Sequence, residues 1–282
     1  MYTIVHKEIL NPTVTRMDIQ APLVAEKARP GQFIILRVEE DGERIPLTVA
    51  DTDPQRGTVA IIFQIVGATT EKLNHLEEGD ALQDFVGPLG RPSELEGLKK
   101  VAVIGGGVGC AIAYPVAKAL HRQGAQVHAV VGFRSEDLII LQKEFEAVSD
   151  KLVVMTDDGS AGRKGLVTDA LRELIESGER YDQVIAIGPL VMMKFVCKLT
   201  KEYAIPTVVS MNPIMIDGTG MCGGCRLTVG GETNFACVDG QDLDGHLVDF
   251  DEDMQRGTMY RDFERKARED TCRLFEQEAQ QA

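Results

Sequence analysis

The α/β character of the chain is set by Val101-Ala-Val-Ile-Gly-Gly-Gly-Val-Gly109. Four apolar residues are typical of a short buried strand, and the glycines that follow suit a tight turn leading into a helix. From this point to Ser210, short apolar runs alternate with stretches of helical length. That alternation predicts a doubly wound parallel sheet with helices on both faces. Pro115 falls inside the first helix and is expected to kink or break it.

Nucleotide-binding residues are expected at the carboxyl ends of these strands. Ligands of doubly wound sheets bind there, because glycine turns lead into helix N-termini whose N–H groups attract phosphate. The first turn departs from G-x-G-x-x-G, since Cys110 occupies the third glycine position. Close packing of helix on strand would explain such a turn equally well. The candidates on this predicted edge are Gly105, Gly106, Gly107, Val108, Gly109, Arg134, Asp157, Gly188 and Pro189.

The choice of nucleotide depends on the residues after the second strand of this sheet. An acidic residue there favours NAD, and a basic residue favours NADP. Arg134, Ser135, Glu136 and Asp137 are adjacent, so both signs of charge are available. We expect NAD(H), and the sequence leaves NADP(H) open as the alternative.

Residues 1–98 have the pattern of a small antiparallel β-barrel. Runs rich in β-branched and aromatic residues are broken at turn-forming pairs such as Asn11-Pro12 and Pro30-Gly31. Short strands at this spacing are typical of a barrel. A short helix is expected over 70–76, with Thr69 or Thr70 as its N-cap.

Two segments of the predicted barrel are candidates for holding a flavin. One opens a strand at residues 44–48, and the other leads from strand to helix at residues 64–70. An arginine near a hydroxyl residue, together with a helix N-terminus, could hold a pyrophosphate and the edge of a flavin. A strand arginine that is merely solvated is the alternative. The candidates are Arg44, Pro46, Leu47, Thr48, Gln64, Val66, Gly67, Thr69 and Thr70.

A glycine-rich loop after the α/β region carries the third candidate site. It reads Asp217-Gly-Thr-Gly-Met-Cys222-Gly-Gly-Cys225 and is followed by Cys237. Plant-type [2Fe–2S] sites use C-x4-C-x2-C and a later cysteine, and here a carboxylate takes the first position. A zinc site with the same four ligands is the alternative, although zinc ribbons more often carry two C-x2-C pairs. A disulfide is not expected, because nothing indicates an oxidising compartment.

The segment around this loop is expected to need a metal centre for stability. Residues 226–229 and 233–238 are predicted to form a hairpin about Gly230-Gly231. So small a unit does not bury a core of its own. A bound metal would supply the missing stability.

Composition excludes several classes of protein. The chain has 282 residues, enough for two domains and a small appendage. Its net charge of −14 argues against nucleic acid and anionic membranes as partners. The start of the chain lacks the basic and apolar regions of a signal peptide, and the apolar stretch 101–117 is shorter than a bilayer span. We expect a cytoplasmic location, with no nucleic-acid or membrane partner.

The expected fold class is α/β plus all-β, in four parts. They are a flavin-binding barrel (1–98), a nucleotide-binding α/β domain (99–210), the cluster loop with its hairpin (211–250) and a helical tail (251–282). The tail is charged, and its large apolar residues include Met259, Phe263, Leu274 and Phe275. Two alternatives stay open for it: a solvated helix, or a helix docked on another subunit.

Together the three sites resemble the ferredoxin–NADP reductase-like family in its branch of electron-transfer subunits. That branch joins an FAD barrel, a nicotinamide-nucleotide domain and a C-terminal [2Fe–2S] loop, and the resemblance spans roughly residues 1–250. It includes the subunits of dihydroorotate dehydrogenase and sulfide dehydrogenase. Asp217 separates the chain from the dihydroorotate type, whose first ligand is Cys, and brings it closer to the small subunits of electron-bifurcating transhydrogenases.

The resemblance assigns roles to particular positions. Thr48 of Pro46-Leu47-Thr48 takes the hydroxyl position near the flavin ring, whereas Arg44 stands one place upstream of the arginine in the common R-P-x-S motif. The segment 66–70 resembles V-G-K-G-T with the lysine and second glycine replaced. The glycines at 105–109 and Gly188-Pro189 match the nucleotide turns. The cluster ligands correspond to Asp217, Cys222, Cys225 and Cys237.

What the resemblance implies is an oxidoreductase subunit that passes electrons between NAD(H), FAD and a [2Fe–2S] cluster. The expected partner is a larger subunit carrying flavin and [4Fe–4S] centres, with ferredoxin as a further partner through that complex. An electron-transfer subunit of sulfide or dihydroorotate dehydrogenase is the second candidate. A zinc-stabilised nucleotide-binding interaction module is the alternative from another class. None of the five histidines belongs to a recognisable constellation, so no catalytic acid or base is expected.

Overall fold

The structure, a computed structural model, describes residues 2–281, with the side chains at 276 and 278–281 excepted. Its N-terminal part is a seven-stranded antiparallel sheet in the order β6-β1-β2-β5-β4-β3-β7. The elements are β1 (Tyr2–Asn11), β2 (Val14–Gln20), α1 (Pro22–Lys27), β3 (Phe33–Arg37), β4 (Arg44–Asp53), β5 (Thr58–Gln64), α2 (Ala68–His75), β6 (Ala81–Leu82) and β7 (Asp84–Leu89).

This sheet curls into a nearly closed barrel. Its two edge strands, β6 and β7, are consecutive in the chain and separated only by Gln83, whose N–H donates to the Arg37 carbonyl at 3.0 Å. Alternate residues of the strands point inward and fill the barrel with aliphatic and aromatic side chains. Leu73 of α2 is fully buried in the same cluster, so α2 packs against the barrel core.

The second sheet begins where the spacing of apolar residues along the sequence changes. Its order is β11-β10-β9-β8-β12-β13-β16, and its strands are parallel up to β13. The elements before the cluster loop are β8 (Lys100–Gly106), α3 (Cys110–Arg122), β9 (Gln126–Phe133), α4 (Gln142–Val148), β10 (Lys151–Thr156), β11 (Arg163–Lys164), α5 (Val167–Glu176), β12 (Gln183–Ile187), α6 (Leu190–Glu202) and β13 (Thr207–Ser210). The chain winds outward from β8 on one side and from β12 on the other, so the topological switch point lies between these two strands.

Pro115 was expected to kink or break the first helix, and the expectation of a break is wrong. Helix α3 runs unbroken from Cys110 to Arg122 with Pro115 inside it and buried. The proline lacks an N–H to donate back to Ala111. The helix nevertheless continues because its apolar face, which includes Val116 and Leu120, is fully buried against the sheet, and tertiary packing outweighs the local cost.

The C-terminal part completes the second sheet. Its elements are β14 (Arg226–Val229), β15 (Glu232–Phe235), α7 (Ala236–Asp239), β16 (Asp242–Asp244), α8 (Phe250–Arg256) and α9 (Arg261–Gln281). Strands β14 and β15 form the expected hairpin, but β15 ends at Phe235, so Cys237 lies on the short helix α7. Strand β16 pairs antiparallel with β13. Leu227 and Ala236 belong to the same buried cluster as the second sheet, so the appendage shares that core.

The C-terminal tail is helical, as expected, but it docks on the barrel of its own chain. Helix α9 packs along α2. The Phe275 ring stacks on the His75 ring with centroids 3.8 Å apart and planes 13° apart. Met259, Phe263 and Leu274 stay exposed.

Direct contacts hold the barrel, the second sheet and the C-terminal part against one another. Lys118 of α3 is 2.6 Å from an Asp51 oxygen of β4. The Gln241 amide donates to the Gly31 carbonyl, and the Arg91 Nε donates to the Val238 carbonyl at 3.0 Å. The cluster loop therefore has a fixed place relative to both larger units.

Candidate nucleotide, flavin and iron–sulfur sites

A cleft of about 740 Å³ lies between the barrel and the carboxyl edge of the second sheet. It opens at the switch point between β8 and β12, where doubly wound sheets bind ligands. The barrel contributes Gln64 and the turn between β1 and β2. The sequence-predicted residues that line it are Gln64, Gly106, Gly107, Val108, Gly109, Arg134, Asp157, Gly188 and Pro189.

The glycines of the turn after β8 are required for different physical reasons. A Cβ atom on Gly109 would lie 2.6 Å from the Gly188 Cα, so this glycine allows helix and strand to pack closely. A Cβ on Gly105 would lie 2.8 Å from the Cys110 Sγ, and Gly105 does not line the cleft. Gly107 has φ +53° with open space around its Cβ position, so the backbone there is accessible to a ligand. Only part of the motif therefore faces the cleft.

Acidic groups surround Arg134 at one edge of the cleft. Asp157 lines the cleft beside it, while Glu136 and Asp137 follow in the next turn. The Ser160 hydroxyl donates to one Asp158 oxygen at 2.6 Å and accepts from the Glu136 N–H at 2.8 Å. Hydrogen bonds from Ser160 hold the pKa of Asp158 below its usual value. Lys164 also acts on Asp158, so the charges near this edge are of both signs. Of the four carboxylates, Asp157 is the one that lines the cleft.

Sequence reasoning missed several residues that line the cleft. Asn11 and Thr13 come from the β1–β2 turn, where the Asn11 side chain donates to the Leu138 carbonyl at 3.2 Å and accepts from the Thr13 N–H at 2.8 Å. Asn11-Pro12 had signalled only a turn. Ser210 ends β13 on the same edge, and its place after a parallel strand was a usable signal. The other missed residues include Thr168, Val191, Met192, Phe195 and Asn212.

The expected flavin residues lie on the barrel, and of these only Gln64 reaches the cleft. Thr48 of β4 pairs with Phe33 of β3, and Arg44 is exposed at the start of β4. Pro46 and Leu47 also lie on β4 and pair with β3. The other four candidates cluster at the turn between β5 and α2. They are Val66, Gly67, Thr69 and Thr70.

Thr70 holds the β5–α2 turn in shape. Its hydroxyl accepts from the N–H groups of Val66 and Gly67, each at 3.0 Å, and donates to the Gly67 carbonyl. The Thr69 hydroxyl donates to Glu43 at 2.7 Å. Val66 is 63% exposed and nothing lies within 4 Å of a Cβ built on Gly67. The start of α2 is thus open, and its first N–H groups have no partner within the helix, which fits a phosphate-bearing flavin.

The four proposed cluster ligands come together in two pairs. The Sγ atoms of Cys225 and Cys237 are 3.2 Å apart, and the Cys222 Sγ is 3.5 Å from an Asp217 oxygen. Cys225 and Cys237 are buried, whereas Cys222 is exposed. All six cysteines are free thiols. Burial, together with the neighbouring Cys225, raises the pKa of the Cys237 thiol to about 12.

Asp217 also organises its own loop. Its carboxylate accepts from the backbone N–H groups of Thr219, Met221 and Cys222 at 3.0 to 3.1 Å. The hydrogen bonds from Thr219 and Cys222, with Thr219 first, lower the pKa of Asp217. Gly218 and Gly220 adopt φ of +74° and +85°, so the loop turns sharply between the carboxylate and the first cysteine.

The pairing fits a two-iron centre. A [2Fe–2S] cluster takes four protein ligands, and two pairs supply two to each iron. A lone zinc ion needs four ligands around one centre, whereas the structure brings these four residues together as two pairs.

Comparison with known proteins was made for the whole chain. A family model described as the oxidoreductase NAD-binding domain matches residues 103–198, and one described as the iron-sulfur cluster binding domain of dihydroorotate dehydrogenase B matches residues 212–249. An uncharacterized protein in the adh 3′ region of Clostridium beijerinckii is 53% identical, covering 95% of this chain and 93% of its own.

Two further similarities concern proteins described by function. A dihydroorotate dehydrogenase B (NAD(+)) electron transfer subunit homolog of Thermotoga maritima is 50% identical over 247 residues, 88% of this chain and 87% of its own. A solved structure of an NADH-dependent reduced ferredoxin-NADP oxidoreductase, studied for flavin-based electron bifurcation, is 47% identical with a TM-score of 0.91. It covers 95% of this chain and 97% of its own.

The fold and the sites define a flavin- and nicotinamide-dependent oxidoreductase subunit with an iron–sulfur domain. The chain belongs to the family of the electron transfer subunits of dihydroorotate dehydrogenase B and their homologues. The resemblance drawn from the sequence and the expected fold class are confirmed. So are the expected cofactors, NAD(H), FAD and an iron–sulfur cluster.

The family also bears on partners. Its members are electron transfer subunits, so a larger partner subunit is part of the chain's working assembly. Across the described residues, no helix combines the length and apolarity needed to cross a bilayer. The cytoplasmic location stays a prediction.

Proposed function

We propose that this chain passes electrons between NAD(H), FAD and a [2Fe–2S] cluster, and between that cluster and a larger partner subunit. The observation that carries the proposal is the shared cleft, because residues of the barrel and of the nucleotide turn face each other across it. A nicotinamide held by the second sheet would therefore meet a flavin held by the barrel.

The second sheet would bind the nucleotide through the turn after β8. The accessible backbone at Gly107 and the start of α3 suit its phosphates. Arg134 and Asp157 line the far edge, where the ribose would lie. Asp157 at this edge supports NAD(H) over NADP(H), since a further phosphate would meet its negative charge.

The barrel would hold the flavin through the predicted residues of β4 and the β5–α2 turn. Thr48 would stand near the ring system and the open first turn of α2 would receive the pyrophosphate. When bound, the cofactors supply the redox chemistry, since a flavin exchanges electron pairs with nicotinamide and single electrons with an iron–sulfur centre. The chain sets the distance between the cofactors and their orientation. None of its residues is proposed as a general acid or base.

Asp217 with Cys222, and Cys225 with Cys237, would hold the two irons. The loop is tied to the barrel through the Arg91–Val238 and Gln241–Gly31 contacts, which would fix the separation between flavin and cluster. A carboxylate among the ligands donates charge to its iron differently from a thiolate, so the potential would differ from that of an all-cysteine cluster.

For the partner, we propose a larger subunit with flavin and [4Fe–4S] centres, reached by ferredoxin, as in NADH-dependent reduced ferredoxin-NADP oxidoreductase. The 47% identity to that structure over 95% of this chain supports this choice. The second candidate is a subunit of dihydroorotate dehydrogenase, supported by the names of several relatives, with sulfide dehydrogenase as a further variant. Affinity purification from the native organism distinguishes them, because a TIM-barrel partner would select the dihydroorotate type.

The central test is a visible spectrum with flavin, iron and zinc analysis of the anaerobically purified protein. We expect flavin and iron–sulfur absorption together, bleached on addition of NADH. A colourless protein that contains zinc and no iron would refute the proposal and select the zinc-stabilised interaction module.

A further inference from the structure

Helix α9 follows the helix that opens the flavin site. The Arg268 guanidinium is 3.7 Å from a Glu71 oxygen in the first turn of α2, and Phe275 stacks on His75 in its last turn. Thr271 lies between these contacts and is buried. Residues 268, 271 and 275 are spaced three and four apart, so a single face of α9 makes the contact.

These contacts also set the direction of α9. Residue 268 meets residue 71 and residue 275 meets residue 75, so both helices run the same way. One helical turn before Arg268 stands Arg265, and one turn before Glu71 stands the N-cap Gly67. Since the helices run the same way, Arg265 lies on the side of Arg268 that is nearer to the N-terminal end of α2.

The β5–α2 turn supplies little positive charge of its own for an anionic ligand. Other basic residues of the barrel include Arg44 at the start of β4 and Lys72 of α2, which pairs with Glu39. Residues 64–70 contain no basic side chain, and the carboxylates of Glu43 and Glu71 lie at Thr69 and in the first turn. A helix N-terminus offers only about half a positive charge, less than the two negative charges of a pyrophosphate need. Arg265, Arg268 and Arg273 line one surface of α9 together with Glu269 and Cys272.

We propose that Arg268 and Arg265 complete the pyrophosphate part of the flavin site, so that α9 straps FAD to the barrel. The inference rests on the proposed function, since it takes FAD as the barrel's ligand. Arg268 neutralises the charge of Glu71. The planar guanidinium of Arg268 also presents N–H groups in a geometry that matches phosphate oxygens. The Arg265 side chain is 71% exposed and forms a surface ion pair with Asp262 at 3.1 Å, so it has room to turn toward the ligand.

The test is equilibrium binding of FAD and of riboflavin to the deflavinated full-length protein, followed by flavin fluorescence. Riboflavin carries no phosphate, so it reports on the ring site alone. We expect R268Q to weaken FAD binding about tenfold, the size of one charged hydrogen bond, and to leave riboflavin binding unchanged. R265Q should have a smaller effect in the same direction. K266Q removes a charge from the same helix and is expected to bind FAD like the wild type.

The outcomes separate the inference from the proposed function. R268Q and R265Q binding FAD as tightly as K266Q would overturn the inference and leave the function standing. An equal loss of FAD and riboflavin affinity would also overturn it, because α9 would then support only the packing of α2. R268K, which keeps the charge, should recover part of the FAD affinity. A wild-type protein that binds neither flavin would refute the proposed function itself.

Discussion

The Asp217 side chain has two roles. It accepts three backbone hydrogen bonds within its loop and lies 3.5 Å from the Cys222 thiol. An aspartate that only capped the loop would accept the backbone hydrogen bonds and would not need to lie next to a thiol. The spacing to the cysteines could be read from the sequence, whereas the capping could not, because it depends on the left-handed glycines folding the loop back on the carboxylate.

We expect Asp217→Ala to lower the iron retained per chain, because one iron loses a ligand and the loop loses its cap. Asp217→Cys should keep the cluster and change its midpoint potential and EPR spectrum. Iron analysis and a potentiometric titration check both. Asp239→Asn is the matched control, since Asp239 accepts from the Phe235 N–H in the same unit and is not in the ligand set. An unchanged potential and spectrum in the cysteine variant would show that Asp217 is not a ligand.

Asp157 offers a test of nucleotide choice. It lines the cleft beside Arg134, whereas Asp158 is held by Ser160 and does not line the cleft. Asp157→Asn removes one negative charge from the ribose edge and should narrow the preference for NADH over NADPH about fivefold, the size of one exposed charge interaction. Titration of both nucleotides measures the ratio, and Asp158→Asn should leave it nearly unchanged. A wild type that prefers NADPH would contradict the expectation.

His128 makes stability depend on pH. It is buried in β9 and lies 2.9 Å from the Tyr181 hydroxyl. Burial lowers its pKa from the usual 6.5, outweighing Glu179. The unfolded chain therefore binds the proton more readily, so the stability gained from a neutral His128 is complete above pH 6.5 and is lost as the pH falls toward the folded-state pKa. Urea unfolding between pH 7.5 and 5 should show a flatter pH profile for His128→Gln than for the wild type.

At the scale of elements, the change of period at residue 101 predicted the second sheet because each buried strand and each amphipathic helix has its own spacing. The failures came from tertiary packing. Helix α3 tolerates Pro115. Residues 136–148, a stretch long enough for one helix, instead form a short 3₁₀ turn and α4, with Leu141 in the left-handed region at φ 55°. Strand β16 joins the sheet from far along the chain, a pairing that local sequence does not encode.

The glycine turn provides the test at this scale. Gly109→Ala places a methyl group 2.6 Å from backbone atoms of Ile187 and Gly188, so β12 or α3 must shift. We expect it to lower the free energy of unfolding by about 1–3 kcal/mol, the usual cost of overpacking. Gly67→Ala is the control, since Gly67 has φ −137° and open space around its Cβ. Thermal unfolding of both variants measures the difference, and equal melting temperatures would mean that the turn relaxes freely.

At the scale of the whole molecule, the C-terminal unit is less independent than the sequence implied. Its small size suggested that a metal supplies its stability, yet Leu227, Ala236 and Phe250 are buried in the core of the second sheet. The exposed part is the loop, where Met221 is 86% exposed. Metal and shared core should therefore stabilise different parts of one unit.

Removing iron separates the two contributions. With the iron chelated, we expect amide exchange to quicken over residues 217–225, since the loop loses its ligands. The hairpin of β14 and β15 should stay protected, because its core contacts need no metal. Exchange across β9 serves as the internal control. Loss of protection across the entire hairpin would mean that the cluster, and not the shared core, holds the C-terminal unit to the rest of the protein. The distance between this unit and the barrel would then depend on the bound metal.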